Sequence, residues 1–354
     1  MKKFWNSGLK IVLVLVLLSA FGSIYAKEKF DKTLVDKKIS INKAAILHIE
    51  HKYGEVKCKN WAENAVSVKV VAHADVSGYE KAEKIFSNVK VDISSDPNQV
   101  SIKTIIQEKW FNNGNHDLSV DMEIYMPSGV SLELDHQFGN AYIETVEGKS
   151  AIKVEYGNAE IKSLKNEINN IELSFGKGMI RDIAVGDVEV NYSELSITKA
   201  GKLKVETNYS VFSVDEMNEL EIDQEGGKCS LGKVQTVKVE SKFSDFVVDN
   251  LIQNLTAETE YGNLTIKNIS KDFYKISVEN SFGAVALNFE TGSSFAIEAE
   301  MEFCTLDYPR NTDFSKKITS STEGYYQGIV GTNKQAKATV SISSEYGGVD
   351  IGIN

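Results

Sequence analysis

Eleven residues at one fixed spacing are the best placed in this chain for ligand chemistry. Glu50, Asp135, Lys153, Glu172, Glu189, Glu206, Asp223, Glu240, Glu258, Glu279 and Glu300 each precede by three an aromatic residue or, once, the glycine in its place. Ten of the eleven are acidic, and Glu172 through Glu300 are eight acids in succession, so a row of carboxylates is expected rather than a scatter. Such a row can hold hard cations through its oxygens. It can equally be a solvated face that keeps the protein soluble and discourages lateral strand pairing. Lys204, Lys238 and Lys242 flank it and can neutralise part of its charge. Nothing resembles a nucleophile elbow, a phosphate loop, a zinc CxxC pair or a calcium-binding loop. No catalytic residue, cofactor site or dedicated metal site is therefore assigned. The histidines are His48, His51, His73, His116 and His136. His51 and His136 both fall two residues before an aromatic, which makes them neighbours if the segment between loops out. His48 has the opposite strand parity to His51 and points away from it, so the pair reads as ordinary strand histidines.

The acids are positioned by a repeat. An aromatic is followed by a small residue at Tyr156-Gly157, Phe175-Gly176, Tyr192-Ser193, Tyr209-Ser210, Phe243-Ser244, Tyr261-Gly262, Phe282-Gly283 and Phe303-Cys304. Outlying copies are Tyr53-Gly54, Phe138-Gly139, Tyr325-Tyr326 and Tyr346-Gly347, and a degenerate copy sits at Gly226. Apolar residues recur three and five positions after the aromatic, as in Leu195 and Ile197 or Phe246 and Val248. Before it, apolar and polar residues alternate (Val188, Val190, Tyr192), the mark of a strand with one buried face. A fixed short period in a β-rich chain indicates a solenoid, in which each coil buries its apolar face only against its neighbours. The aromatics are expected to form a buried column, and the acids, of opposite parity, an outward one spaced about 4.8 Å. The expected fold is all-β: a parallel β-solenoid of about 17–22 residues per coil. Cys58 and Cys229 take inward offsets, and Cys304 lies several coils from Cys229, so three free thiols are expected.

Residues 1–26 read as a signal peptide: Lys2, Lys3 and Lys10, then the apolar run Ile11–Leu18, then a small-residue cleavage site ending at Ala26. The run is shorter than the roughly 20 residues that span a bilayer. Membrane contact is expected only if this segment is retained. The chain carries 39 basic and 50 acidic residues, and losing three lysines with the leader makes the charge more negative still. That balance disfavours nucleic acid and anionic membrane surfaces as partners.

The segment between Tyr53 and Phe138 is less regular. Val66–Val71, Val89–Ile93, Val100–Ile106 and Leu118–Tyr125 read as strands. Ser77-Gly78-Tyr79-Glu80 is a capping-box pattern before Ala82, Ile85 and Phe86, which share a helical face, so a short helix is expected at 78–88. Residues 27–135 then form the first coil with a helix-bearing N-terminal cap, and 136–354 the regular coils, whose last, longer members form a platform or a C-terminal cap.

Taken together, "HKYGEVKCKNW" at 51–61, "IYMPSGVSLEL" at 124–134, "QFGNAYIETVEG" at 137–148 and "EYGNAEIKSL" at 155–164 resemble a bacterial family of exported β-solenoids known only as "putative adhesins". The resemblance spans about residues 40–354 and implies a right-handed parallel β-solenoid at or beyond the cell envelope, with no catalytic residues to carry over. The expected function is a noncatalytic exported binding module of the periplasm, cell surface or medium, whose ligand is an unidentified protein or glycan. An envelope scaffold or sensor is the second reading. A polysaccharide-active β-helix enzyme is the third, disfavoured by tight corners and by arginines confined essentially to Arg181 and Arg310.

Overall fold

The alternation of apolar and polar residues is realised as strands almost throughout. The computed structural model describes residues 27–107 and 118–354, so the leader at 1–26 and His116 lie outside the described residues. Among the described residues, twenty-three strands join in one hydrogen-bonded sheet, with one helix, Tyr79–Phe86. Through the middle of the chain, pairing is parallel and in register between segments one repeat apart. Ser131–Gln137, Ser150–Glu155, Asn169–Ser174 and Lys177–Asn191 align so that Leu134, Ile152, Ile171 and Val188 stand side by side. A second set aligns Ala141, Ala159, Gly178 and Leu195. From Glu194 to Glu260 the strand conformation runs on through the corners. Its last part pairs Phe246 with Leu264, which in turn pairs with Val285. One contiguous apolar core fills the interior, with Phe212, Phe246, Phe289 and Phe295 among its largest fully buried side chains.

The aromatic residues form a column, but it faces outward. Tyr53, Phe138, Tyr156, Phe175, Tyr192, Tyr209, Phe243, Tyr261, Phe282, Phe303 and Tyr346 have φ between 48° and 62°, and they are the non-glycine residues of the described chain in that region. The left-handed conformation turns the corner and rotates the ring to the outside, while its N–H still donates to the next segment, as Tyr156 does to Ser174 O at 3.0 Å. Parity therefore flips at the aromatic itself, and the inward residues are those two before it (Val154, Leu173, Val190) and three after it. At the following position backbones nearly touch: a Cβ on Gly139 would stand 1.8 Å from Gly54 O, which excludes any side chain there without a shift.

Both ends of the parallel stack are antiparallel. At the N-terminal end, Gln99–Ile106 and Leu118–Met126 lie beside Ile46–Lys52 and Val56–Asn60, and pair antiparallel with Val89–Asp96 and Ala65–Val76. Ala65–Val76 is covered further by Glu28–Ser40, a strand too polar to stand out in the sequence. The helix buries Ala82, Ile85 and Phe86 as expected, yet no side chain caps its N-terminus. Gly78 occupies the N-cap and the Ser77 hydroxyl accepts from Lys81 Nζ at 2.8 Å instead.

At the C-terminal end chain order and spatial order part company. Thr339–Glu345 inserts between Lys275–Ser281 and Phe295–Glu302, parallel to both. Tyr325-Tyr326 is not a further corner. It lies in Glu323–Val330, which runs antiparallel between Phe295–Glu302 and Thr312–Thr319.

All three cysteines are free, with Cys58 and Cys229 buried and Cys304 half-buried. Burial pushes the Cys58 thiol up to about 12 and raises Cys229 as well. A thiol reagent at pH 8 is expected to modify Cys304 alone in the native protein and three thiols after unfolding without reductant. A titre of one after unfolding would reveal a disulfide and overturn the placement of these residues.

Candidate functional site: the outward acidic row

Because the parallel segments pair in register, residues at one offset come together. Glu50 stands beside Asp135, Asp135 beside Lys153, Lys153 beside Glu172, Glu172 beside Glu189, and Glu189 beside Glu206. Asp223 and Glu240 continue the offset along Glu194–Glu260, and Glu258 pairs with Glu279. The expected neighbours Glu279 and Glu300 are separated: Ser343 of the inserted strand pairs with both. The row is thus acidic from Glu172 to Glu279, then interrupted by a neutral hydroxyl, because the strand that returns from the C-terminus takes the intervening place.

A shallow depression of about 660 Å³ lies over the N-terminal half of this face, lined by Asp135, Lys153, Glu172, Glu189 and Glu206 together with His48, Glu133, Asp187 and Lys204. The last four share a second outward offset, five before the aromatic. Lys204 was expected to flank the row and His48 to point away from His51, whereas Glu133 and Asp187 gave no signal because that offset mixes charges and shows no run. Lys153 organises the site. Its Nζ lies 2.7 Å from Glu172 and 3.0 Å from Glu155, and these two carboxylates hold its pKa above the ordinary lysine value. Glu50 is held below the usual carboxylate range first by Lys103 and then by His48, whose Nε2 is 3.2 Å away. Of the three flanking lysines, Lys238 approaches Glu240 at 3.7 Å while sitting 2.9 Å from Glu221, and Lys242 pairs with Glu260 outside the row. Among the described residues, Glu189, Glu206 and Asp223 have no ion pair within 4.0 Å.

His51 and His136 do become neighbours, on the buried side of the same strands. Their rings stack at 5.3 Å and 14°, whereas His48 faces the depression, as its parity requires. Among the described residues no three or more His, Cys, Asp or Glu side chains converge on a point that could hold a metal ion.

Unpaired carboxylates one strand apart repel by about 1 kcal/mol per neighbouring pair in water, less in salt. Combining Glu189→Gln, Asp223→Asn and Glu258→Gln is therefore expected to raise the melting temperature at low salt. The gain should shrink as sodium chloride is added, and calcium at constant ionic strength should not shift wild type. A triple variant that melts no higher than wild type at low salt would show that the row carries no net repulsion.

No family model and no curated protein matches this chain. Solved structures similar to it include a "putative cell adhesion protein" from Clostridium sporogenes, 9% identical, covering 93% of this chain and 100% of its own, with a TM-score of 0.20. A "putative adhesin" from Bacteroides fragilis is 10% identical over 92% of this chain and 97% of its own, with a TM-score of 0.28. A "putative lipid binding protein" from Parabacteroides distasonis is 12% identical over 92% and 96%, also at 0.28. Superpositions this loose carry no argument, and the functional reading rests on the surface itself.

Proposed function

We propose that this protein is a noncatalytic exported binding module, an adhesin in the broad sense, built as a right-handed parallel β-solenoid with a helix-bearing cap over residues 27–135 and regular coils from 136. The observation that carries this reading is the depression lined by Asp135, Lys153, Glu172, Glu189 and Glu206. Its groups repeat at the strand spacing and stay in register over several segments, which suits an extended ligand more than a single small substrate. Its excess of carboxylate selects against polyanions and favours a neutral glycan or a basic protein segment. Carboxylates without a neighbouring arginine or a deep cleft are poorly arranged for glycoside cleavage, which needs a proton donor and a second carboxylate on opposite sides of one bond.

The test is binding of the mature chain to arrays of glycans and of extracellular proteins, beside fractionation and surface proteolysis of producing cells. Wild type is expected to bind, and Glu189→Lys with Glu206→Lys to lose that binding while melting cooperatively. Binding unaffected by the double reversal would place the working surface elsewhere. Retention in the cytoplasmic fraction would overturn export.

A further inference from the structure

The outward aromatic column is two stacks, not one. Tyr53, Phe138, Tyr156, Phe175, Tyr192 and Tyr209 follow one another face to face, and so do Phe243, Tyr261, Phe282, Tyr346 and Phe303. Centroid separations run from 4.8 to 5.7 Å and interplanar angles from 1° to 11°. Between Tyr209 and Phe243 the corner residue is Gly226, so one ring is missing. The backbone there is otherwise that of an aromatic corner: Gly226 has φ 69°, close to the values of its ring-bearing equivalents.

Three observations mark this gap as an open slot. Tyr209 and Phe243 are 58% and 62% exposed, and neither has a ring stacked on its Gly226 side. Tyr209 has drawn away from Tyr192, at the widest separation in the stacks, 5.7 Å, and leans over Gly226, whose Cβ would meet the ring at 2.7 Å. The corner is also held from inside. Fully buried Gln224 turns its side-chain carbonyl to accept from the Lys228 and Cys229 N–H groups at 3.2 and 3.3 Å, which keeps the ring-less turn in the shape of the others.

We infer that the gap at Gly226 is a binding slot for one planar aromatic ring, presented as a Tyr or Phe side chain of a partner polypeptide. Two strand spacings separate the flanking corners, about 9.6 Å. A ring placed midway stands about 4.8 Å from each neighbour, which is the spacing the protein uses for its own rings. The occupant is thus defined by what the stacks already hold, a flat phenyl or phenol group sandwiched between two aromatic faces. A pyranose chair or a cyclohexyl ring is thicker and presents C–H edges instead of a π face. The inference stands on the aromatic column and holds whether or not the acidic face binds anything.

The test uses the isotopically labelled mature chain and p-cresol as probe, with N-acetyl-tyrosinamide as the peptide-like form. Saturable upfield shifts of the Gly226 and Gly227 amides are expected, together with much smaller shifts at Gly157 and Gly262 inside the stacks. Cyclohexanol and glucose at equal concentration should leave Gly226 unmoved. Gly226→Phe supplies the missing ring, with Tyr209 swinging back towards Tyr192 to clear the added Cβ, and should abolish the Gly227 response in a variant that still melts cooperatively. Tyr209→Ala, which removes one wall, should weaken binding severalfold or more. Equal shifts at Gly157 and Gly226, an equal response to cyclohexanol or glucose, or full p-cresol binding by a folded Gly226→Phe variant would each overturn the assignment.

Discussion

Lowering the pH from 6.5 to 4.5 is expected to destabilise this protein by about 2–3 kcal/mol through the buried imidazole of His51, with the buried His136 adding a loss of the same sign. His51 is 1% exposed. Its Nε2–H donates to Val120 O at 2.7 Å, and its Nδ1 accepts from the Thr104 hydroxyl at 2.8 Å. That arrangement uses both nitrogens in the neutral ring. His136 is fully buried against it, and neither of its nitrogens has a hydrogen-bond partner. Burial depresses His51 to about 3, with the neighbouring His136 adding to the effect. His136 is depressed as well, by burial first, against a smaller opposing pull from the nearby backbone of His51, Gly139 and Gly54 and from Asp135. In the unfolded chain both rings titrate near 6.5, so below that value the unfolded state takes up protons that the folded state refuses. Stability is complete above pH 6.5 and falls as pH drops towards the folded value. Carboxylates with depressed pKa, such as Glu50 and Glu123, add their loss only below about 4.5, so the upper window belongs to the histidines.

Urea unfolding at pH 7.0 and 5.0 measures the loss. His136→Val, which copies Val154 at the same place on the adjacent segment, should reduce the pH dependence and retain the fold. Equal wild-type stability at both pH values would show that water or an alternative ring position satisfies the pair.

Phe246→Ala is expected to cost about 3–5 kcal/mol, and Phe243→Ala, three residues away, only about 1 kcal/mol. Phe246 is fully buried and pairs in register with Leu264, so truncation leaves a cavity that parallel strands on either side cannot close. Phe243 is 62% exposed and stacks by one face on Tyr261 at 5.1 Å. Removing its ring forfeits one stacking contact, and alanine in the left-handed corner retains the conformational strain that non-glycine residues bear there. Paired urea melts at pH 7 decide it. Comparable losses in the two variants would mean that the outward rings support the fold as strongly as the core.

These two phenylalanines show where reading the sequence succeeds and where it stops. The inward place of Phe246 was legible because side chains alternate along a strand and its repeat equivalents are Leu264 and Val285. The outward row of Glu172, Glu189 and Glu206 was legible for the same reason, since equal spacing and in-register pairing bring equal offsets together. The helix face of Ala82, Ile85 and Phe86 also followed from its period. Phe243 was misplaced, because one dihedral sign decides whether a corner ring points in or out, and alternation says nothing about a residue that leaves the strand conformation.

Spatial order at the C-terminus was beyond the sequence too. Thr339–Glu345 fits between Glu279 and Glu300 because both neighbouring strands offer it a matching parallel edge. Period alone assigns that edge to the next segment in the chain. By itself, then, the sequence determined the β character, the repeat, the core positions and the acidic row, all of which depend on local alternation. Only the tertiary structure decided which way the aromatics face, which strands separate Glu279 from Glu300, and that Tyr209 and Phe243 flank an empty place. Those depend on a backbone sign and on competition between distant strands for the same hydrogen-bonding edge.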